Sequence, residues 1–258
     1  MAKTAILIPT FERGHVLRLN LGSIARQDLP GDLDIIVLDD RRESDPDCVA
    51  LVEEFADTLP IRYIHSGQTK TGDYWRIPGY PFNIGAKQAG DAKFLLLCCA
   101  EMYHFDNTIQ LTVDALEASP KLMVIPQGKK EDGPSVAKIV NAGGIPTLKD
   151  WEAIPRKLNA HYPYLMGIHA EDYHFIRGYD EDFTGIASDD DDFILRMRAI
   201  GCSTRKIDGH VCHQIHSPRK SCDGADGDRA ARRAHNRALL RARRGKAVRN
   251  EGREWGQL

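Results

Sequence analysis

The residues best suited to chemistry form an acidic run, Asp189–Asp192, which follows Ser188 and precedes an apolar stretch. Adjacent carboxylates repel one another, and this repulsion raises the pKa of at least one member towards the range of a general base. A helix beginning here would stabilise one or two of the charges through its dipole and free amides, with Ser188 as its cap. Because that structural role accounts poorly for four acids, we favour a functional role for the run.

Polar residues also follow two predicted strands near the N-terminus. Pro9-Thr10-Phe11-Glu12-Arg13 ends one strand, and Asp39-Asp40 ends another. In an open α/β sheet these two ends lie side by side in a crevice, where a carboxylate could accept hydrogen bonds from a ribose or a base edge. The structural alternative is that Thr10 caps the next helix and the aspartates begin a turn.

A third set of residues suits a metal ion. Glu101 follows a buried strand, where a carboxylate could hold Mg²⁺ or Mn²⁺ beside a diphosphate; the alternative is a loop acid next to two core cysteines. The adjacent Cys98 and Cys99 have no C-x-x-C pair nearby, which disfavours a zinc or redox site. His213 and His216 follow a short predicted strand, in which positions i and i+3 point to opposite faces. We therefore expect one histidine ligand rather than two.

Strands and helices alternate over the first hundred residues. We predict strands over Lys3–Ile8, Leu33–Leu38, Ile61–Ile64 and Phe94–Cys98, and helices over Arg13–Gln27, Cys48–Ala56 and Phe82–Ala89. Leu33–Leu38 is a continuous run rich in β-branched residues, which is typical of a central parallel strand covered on both faces. The alternation predicts an α/β fold with a doubly wound parallel sheet that binds its ligand at the carboxyl ends of the strands.

The second half of the chain is less regular. Predicted helices cover Asp106–Glu117, Asp190–Ile200 and Arg229–Val248. Predicted strands cover Leu122–Pro126, Val136–Val140, Leu165–His169, Thr204–Ile207 and His210–Gln214. Gly143–Asn159, which contains Trp151, resembles a loop or lid, and Ser217–Asp228 resembles a linker.

Composition limits the class of protein. The 258 residues are 42% hydrophobic and 28% charged, which excludes disordered, collagen-like and coiled-coil chains. The longest apolar run, Phe94–Ala100, is far shorter than the roughly 20 residues of a membrane span. The N-terminal apolar run stops at Pro9, too early for a secretory signal, and six cysteines form no disulfide framework. We therefore expect a cytoplasmic protein.

Charge is divided unevenly along the chain. Residues 219–258 contain 12 basic and five acidic side chains, a net charge of +7, whereas the rest of the chain carries −9. Clustered arginines suit phosphates, so this tail could bind an anionic partner such as a nucleic acid. The alternative is a C-terminal helix that packs on the acidic body or forms a subunit contact.

Seven segments, taken together, carry a family resemblance. They are Ile6–Arg13, Ile35–Asp40, Phe82–Ala89, Phe94–Glu101, Arg177–Phe183, Ser188–Phe193 and His213. Their order resembles that of nucleotide-sugar glycosyltransferases of the A-type fold, family 2 and its relatives, including the galactosyltransferase C-terminal module. The resemblance covers residues 3–217 and implies a single Rossmann-like, mostly parallel sheet with helices on both faces. It implies a nucleotide-binding half, 1–104, and an acceptor half, 105–217, followed by a basic extension, 218–258.

The resemblance also implies residue roles in donor binding. Asp40 matches the acid that reads the uracil or other base, and Asp39 resembles an acid that orients the loop. Glu101 and His213 match the ligands of a Mn²⁺ or Mg²⁺ ion, with His216 as a weaker candidate. The implied donor-binding set is Pro9, Thr10, Phe11, Arg13, Asp39, Asp40, Arg76, Asn83, Ala100 and Glu101.

The acidic run acquires roles from the same resemblance. Asp190 matches the residue that deprotonates the acceptor hydroxyl in inverting members, with Asp189 as an acceptor-binding neighbour. Asp191, a weaker site candidate, and Asp192 would hold the loop and the helix start. The implied reaction is metal-dependent transfer of a hexose from a nucleotide-diphosphate sugar. UDP is the family's commonest carrier, and the acceptor hydroxyl could belong to a glycan, a protein or a modified nucleic acid.

Two positions depart from the family pattern. The first Asp of the Asp-X-Asp metal motif is Cys99 here, so one expected carboxylate contact is absent. Phe82 stands where the family often has a basic residue, and Arg76 or Lys70 could contact the phosphates instead. Nearby aromatic residues, which could stack on a sugar or base or pack as a surface loop, are Tyr74, Trp75 and Tyr80.

Two other functions stay open at this point. A nucleotidyltransferase of similar sheet architecture would begin with a Gly-rich basic loop, and Thr10–Gly14 has only one Gly and one Arg. A nucleotide-sugar-binding protein with weak catalysis is favoured by Cys99 and disfavoured by the intact run Asp189–Asp192.

Overall fold

The fold is organised around one mixed sheet whose central strands are apolar on both faces. The computed structural model of the protein describes residues 3–67, 70–71, 74–77, 79–158, 164–185, 187–216 and 226–258. In the first strand, Ala5 and Leu7 face one hydrophobic cluster while Ile6 and Ile8 face the other. Because side chains alternate along a strand, a continuous apolar run supplies the cores on both sides of the sheet.

The described residues form short strands and helices in alternation. The strands are β1 Thr4–Thr10, β2 Leu33–Asp39, β3 Ile61–His65, β4 Lys70–Thr71, β5 Tyr74–Trp75, β6 Phe94–Cys98, β7 Met102–His104, β8 Leu122–Lys130, β9 Arg156–Lys157, β10 Leu165–His169 and β11 Ser203–His213. The helices are α1 Gly14–Ile24, α2 Pro46–Phe55, α3 Gly79–Gln88, α4 Thr108–Ala118, α5 Ser135–Asn141, α6 Leu148–Ala153, α7 Ala170–Phe175, α8 Asp189–Ala199 and α9 Asp226–Ala242.

The strand order of the main sheet is β3-β2-β1-β6-β10-β8-β11-β7, with β9 paired to β8. Strands β3, β2, β1 and β6 are parallel, as are β8 and β11, whereas β10 runs antiparallel between β6 and β8. The predicted α/β class and Rossmann-like sheet are confirmed, and the division into a nucleotide-binding half and an acceptor half stays a prediction. The chain moves from β1 outward to β3 and then returns to β6 on the other side of β1, so the order reverses between β1 and β6. Ligands of open α/β sheets bind at such a reversal.

Three predicted strands differ from the structure in kind or in extent. Val136–Val140 lies in helix α5, because Val136 and Val140 are four residues apart and both pack on one small apolar cluster, and the Glu131 carboxylate accepts from the Val136 amide. The two predicted strands 204–207 and 210–214 are one strand, β11, with a register shift between Lys206 and His210. A β-bulge of this kind breaks the alternation that the sequence pattern relies on.

The predicted loop or lid at Gly143–Asn159 contains helix α6. Helix α6 begins with a capping box between Thr147 and Asp150. Its Trp151 indole donates to the Val211 carbonyl at 2.9 Å, and the ring meets His210 edge-on at 4.4 Å. This indole is therefore anchored on β11. Residues 217–225 of the predicted linker lie outside the described residues.

Part of the basic tail packs on the acidic body. Arg243 pairs with Asp180 and Asp182, and Trp255 is only 5% exposed within the hydrophobic cluster that also contains Leu7. These contacts are made by residues that follow the end of helix α9 at Ala242, so a packed C-terminal helix and an anionic partner both stay predictions. Within the described residues, no helix is long and apolar enough to cross a bilayer. The cytoplasmic location stays a prediction.

The tight contact between β10 and α4 gives a test of the sheet packing. A Cβ at Gly167 would lie 2.3 Å from Thr112 Cγ2 and 3.1 Å from Leu116 Cδ1. We expect Gly167→Ala to lower the free energy of unfolding by about 1–3 kcal/mol through overpacking, measured by urea denaturation. Gly133→Ala is the matched control, since a Cβ there meets nothing within 4 Å. Equal stability of the two variants would contradict the described packing.

Candidate active site

A cavity of about 230 Å³ lies at the carboxyl ends of β1 and β6, where the strand order reverses. Six predicted donor-binding residues line it: Pro9, Thr10, Phe11, Arg13, Asp40 and Glu101. The remaining lining residues are Pro81, Phe82, Cys99 and His216. Strand ends far apart in sequence therefore meet in one concave site, as the sheet topology requires.

The two aspartates after β2 differ in their contacts. The Asp40 amide donates to the Thr10 carbonyl at 2.9 Å, which joins the ends of β1 and β2. Its buried carboxylate lines the cavity and pairs with Arg76 at 2.7 Å. The Asp39 carboxylate instead accepts from the amides of Arg41 and Asp45, at 3.1 and 2.7 Å. These contacts order the loop after β2, and a donor-binding role for Asp39 stays a prediction.

Arg76 has contacts that differ from the predicted phosphate contact. Its guanidinium is 3% exposed, donates to the Ser66 carbonyl at 2.9 Å, and stacks over the Tyr80 ring at 4.3 Å. Together with the ion pair to Asp40, these contacts hold the Arg76 guanidinium within the fold, and Arg76 is not among the residues that line the cavity. The side chains of Lys70, Tyr74 and Trp75 lie outside the described residues.

Two other predicted donor-binding residues are absent from the cavity wall. Asn83 is fully buried, and its amide donates to the Tyr179 carbonyl and to Glu181, both at 2.9 Å. Its side-chain oxygen accepts from the Tyr173 hydroxyl and the Tyr179 amide, both at 2.7 Å. Ala100 is 1% exposed. These contacts give Asn83 an internal structural role, because its hydrogen-bonding groups are already used within the fold.

Glu101 lies at the centre of a group of possible metal ligands. Its Oε1 accepts from Arg13 Nε at 3.0 Å and lies 3.6 Å from His216 Nε2. One ligand atom from each of Glu101, His213 and His216 lies within 4.8 Å of the others. A carboxylate and two imidazoles are suitable ligands for a first-row divalent cation.

A turn after β11 explains why both histidines reach this site. The Gln214 amide donates to the Glu101 carbonyl at 2.9 Å, and the Ile215 amide donates to Glu131 at 3.1 Å. Strand β11 ends at His213, so the strand rule behind the expectation of a single histidine does not extend to His216. His213 Nδ1 lies 3.0 Å from the Gln214 carbonyl, which can only accept. Neutral His213 therefore keeps its Nε2 lone pair for a ligand.

The acidic run opens helix α8 after a turn in the left-handed region. Ala187 and Ser188 have φ of 79° and 72°, a conformation that L-residues adopt at a cost and that clusters at functional sites. Ser188 precedes the helix, but its hydroxyl makes no cap hydrogen bond, contrary to the prediction. The backbone amides of residues 189 and 190 favour the ionised form of the Asp189 carboxylate and so act to lower its pKa. Burial nevertheless raises the pKa of Asp189 to about 6.

Asp190 and Asp192 have different surroundings although they are two residues apart. Burial, followed by the charge of Asp189, raises the pKa of Asp190 well above its usual value. Its Oδ1 accepts from the Tyr179 hydroxyl at 3.3 Å. Asp192 pairs with Arg196 at 2.6 Å and with Arg249 at 2.7 Å. Asp192 therefore joins the first turn of α8 to Arg249 of the C-terminal chain.

The acidic run adjoins the cavity. Cys99 lines the cavity, and the charges of both Glu101 and Asp190 contribute to raising the pKa of its thiol, after burial as the main cause. Phe82, also in the lining, stacks on Tyr179 at 5.9 Å between ring centroids, and Tyr179 lies parallel to Phe193 of α8 at 4.5 Å. These rings connect the cavity wall to the helix that carries Asp190.

Sequence reasoning gave no role to Tyr179 or Arg249. Tyr179 lies inside Arg177–Phe183, one of the segments that carry the family resemblance. Its place in that segment, shortly before the acidic run, is a sequence feature that points to a role at the site. Arg249 lies in the basic tail among many arginines, and no sequence pattern distinguishes its buried guanidinium from the exposed ones.

The sequence matches known glycosyltransferases. The family "Glycosyl transferase family 2" matches residues 5–171. A curated relative, the validoxylamine A glucosyltransferase of Streptomyces hygroscopicus subsp. limoneus, is 25% identical over 234 residues, which cover 76% of this chain and 48% of the relative. The chain thus spans about half the length of this relative.

Solved structures share the fold. TarS 1-349 of S. aureus in complex with UDP-GlcNAc has a TM-score of 0.57 at 14% identity, covering 86% of this chain and 61% of that chain. GalNAc-T7 with UDP, GalNAc and Mn²⁺ has a TM-score of 0.59 at 11% identity, covering 85% of this chain and 45% of that one. The family match covers well over half of the sequence, and the chain therefore belongs to glycosyl transferase family 2, a family of sugar-transferring enzymes, and has their A-type fold.

Proposed function

We propose that the protein is a metal-dependent, inverting glycosyltransferase that moves a hexose from a nucleotide-diphosphate sugar, most simply a UDP-sugar, to an acceptor hydroxyl. The observation that carries this proposal is the meeting of Asp40, Glu101 and His216 in one cavity that adjoins Asp190. These residues come from four distant segments, and a merely structural role for each would not require them to converge.

The donor side is supported by the lining of the cavity. Pro9, Thr10 and Phe11 offer a backbone turn beside the buried Asp40 carboxylate, which is suited to a nucleoside. Arg13 and Glu101, which are paired with each other, line the same cavity and would face a diphosphate and a cation. The related TarS structures with UDP and UDP-GlcNAc, and GalNAc-T7 with UDP, are the basis for choosing a uridine carrier.

The cation side is supported by the ligand group Glu101, His213 and His216. Two imidazoles and one carboxylate, with phosphate oxygens completing the coordination, suit Mn²⁺ better than Mg²⁺, which prefers oxygen ligands, and the second histidine adds a ligand where Cys99 replaces a carboxylate. When bound, such a cation would neutralise negative charge on the leaving diphosphate. Mn²⁺ accompanies UDP in the related GalNAc-T7 structure.

Asp190 is the proposed base. The acceptor hydroxyl oxygen attacks the anomeric carbon, the bond from that carbon to the diphosphate oxygen breaks, and the diphosphate leaves with the electron pair. The hydroxyl proton passes to the Asp190 carboxylate. A carboxylate whose pKa is raised by burial is a stronger base than an exposed one, and the attack inverts the anomeric configuration because it comes from the face opposite the leaving group.

The base assignment is tested by Asp190→Asn. We expect turnover to fall about 10²- to 10⁴-fold because the proton acceptor is lost, while donor affinity changes little. Turnover is measured as UDP release from a UDP-sugar, and donor affinity by calorimetry. Asp57→Asn, an exposed carboxylate in the turn after α2, is the control. Undiminished turnover of Asp190→Asn would refute the assignment.

The cation site is tested by Glu101→Ala. We expect weaker donor binding in Mn²⁺, because one cation ligand and the partner of Arg13 are removed together. Addition of EDTA should weaken donor binding by the wild type to the same level and should have little further effect on the variant. Calorimetric donor titrations give both comparisons. A donor affinity that neither EDTA nor Glu101→Ala changes would count against a cation site.

The crowded carboxylates predict a pH dependence. The base must be ionised, so turnover should rise with pH through the raised pKa of the Asp189–Asp190 pair. Asp189→Asn removes a charge that raises the pKa of Asp190, so the acidic limb of the turnover profile should move to lower pH. Asp191→Asn should move it less, since the Asp191 charge is the smaller cause. A shift of the limb to higher pH in Asp189→Asn would contradict this electrostatic account.

A further inference from the structure

The C-terminal residues 249–256 are here named the C-terminal clasp. They contact helix α8, which carries Asp190, and the turn at residues 177–181, whose Tyr179 hydroxyl donates to Asp190. We propose that the clasp, together with Tyr179, positions the Asp190 carboxylate for proton transfer. This inference rests on the proposed function and adds positioning residues to it. The clasp lies beyond residues 5–171, which match the family.

The first contact fixes the start of helix α8. Arg249 is 4% exposed and donates through Nη2 to Asp192 Oδ1 at 2.7 Å. Arg196 donates to the other oxygen, Oδ2, at 2.6 Å. Both oxygens of Asp192 are therefore held by buried guanidinium groups. Removal of one partner from a buried pair is costly, so this contact resists any shift of the helix turn that carries Asp190.

The second contact fixes the turn at residues 177–181. Asn250 Nδ2 donates to the carbonyls of Arg177 and Tyr179, both at 2.8 Å, and Asn250 Oδ1 accepts from the Glu181 amide at 3.1 Å. The Gly256 amide donates to Glu181 Oε1 at 2.8 Å. The turn is thus bound to the clasp through its backbone at three residues.

Close packing leaves this turn little freedom. Gly178 has a φ of +64°, and a Cβ there would lie 2.1 Å from Asn83 Oδ1 and 2.9 Å from the Trp255 ring. Trp255 in turn packs beside Tyr173 at 6.2 Å between centroids and beneath Lys87 Nζ at 4.1 Å. The turn is therefore enclosed between helix α3 and the clasp.

Tyr179 transmits the position of the turn to the base. Its backbone is bonded to Asn83 and Asn250, its ring is stacked on Phe193, and its hydroxyl donates to Asp190 Oδ1 at 3.3 Å. A hydrogen bond to the ionised carboxylate favours that form, which opposes the effects of burial. The other charged or titratable groups that face Asp190 are Asp189 and Asp191 from its own helix and Cys99 from the end of β6.

The first test is Tyr179→Phe, which removes the hydroxyl and keeps the ring. The pKa of the Asp190 carboxyl is measured by carbon-13 NMR, with Asp190→Asn used to assign its signal. Turnover is measured as hydrolysis of UDP-glucose and UDP-GlcNAc in Mn²⁺ between pH 5 and 9. We expect a higher pKa for Asp190 and an acidic limb shifted to higher pH by the same amount, with donor KM unchanged. An unchanged pKa and limb would overturn the role of Tyr179.

The second test is Arg249→Gln, which breaks the pair with Asp192 from within the clasp. We expect turnover to fall about 100-fold, because displacing a positioned group by about 1 Å has an effect of that size, while donor affinity stays within twofold. Arg249→Lys should recover part of the turnover. Arg244→Gln is the control, since Arg244 is exposed and lies outside the clasp. Wild-type turnover in Arg249→Gln would overturn the role of the clasp.

Two further outcomes separate the possible failures. If Arg249→Gln does not fold, Asn250→Ala replaces it. We expect the same loss of turnover at unchanged donor affinity, and wild-type turnover would again overturn the role of the clasp. A wild-type protein that binds and hydrolyses none of a panel of nucleotide-diphosphate sugars would refute the proposed function. A wild type that is active, with variants that match it in pKa, turnover and pH profile, would refute this inference alone.

Discussion

The burial of several carboxylates at the start of α8 is the constraint on which the rest of the structure depends. An ionised carboxylate loses its hydration when buried, so each one needs either a cation or a raised pKa. Asp192 has two guanidinium partners, Arg196 and Arg249, and Asp190 has a tyrosine hydroxyl and an acidic neighbour. Different surroundings thus give neighbouring acids different properties: Asp192 is paired with cations and anchors the helix, whereas the pKa of Asp190 is raised, as suits a base.

The sheet topology provides the second half of the site. The reversal of strand order between β1 and β6 brings Thr10 and Glu101 to one edge, and the Gln214 amide joins the end of β11 to the Glu101 carbonyl. The histidines of that turn consequently reach Glu101 although more than a hundred residues separate them in sequence. The loops that carry most of the site residues are therefore joined to one another by backbone hydrogen bonds at the ends of regular strands.

Much of this arrangement follows from the sequence, and the exceptions have identifiable causes. The central strands and the meeting of Arg13, Asp40 and Glu101 at one cavity are predictable, because continuous apolar runs and strand-end polar residues have few other solutions. The predicted strand at Val136–Val140 is a helix, since β-branched residues favour a strand but the four-residue spacing of Val136 and Val140 places both on one helix face. Pairings such as Arg249 with Asp192 depend on the path of the C-terminal chain, which local patterns do not encode.

The absence of an acid at position 99 has a consequence for how donor and cation would bind. The ligand group contains one carboxylate and two histidines, and Glu101 is already paired with Arg13 at 3.0 Å. Burial lowers the pKa of His213, so this imidazole is neutral at physiological pH and adds no charge. The protein therefore offers a cation less negative charge than a site with two carboxylates would. On the proposed function the diphosphate supplies the missing charge, and Arg13 can exchange its carboxylate partner for a phosphate oxygen. Cation and donor should consequently enhance each other's binding, because each completes the electrostatic neutralisation of the other.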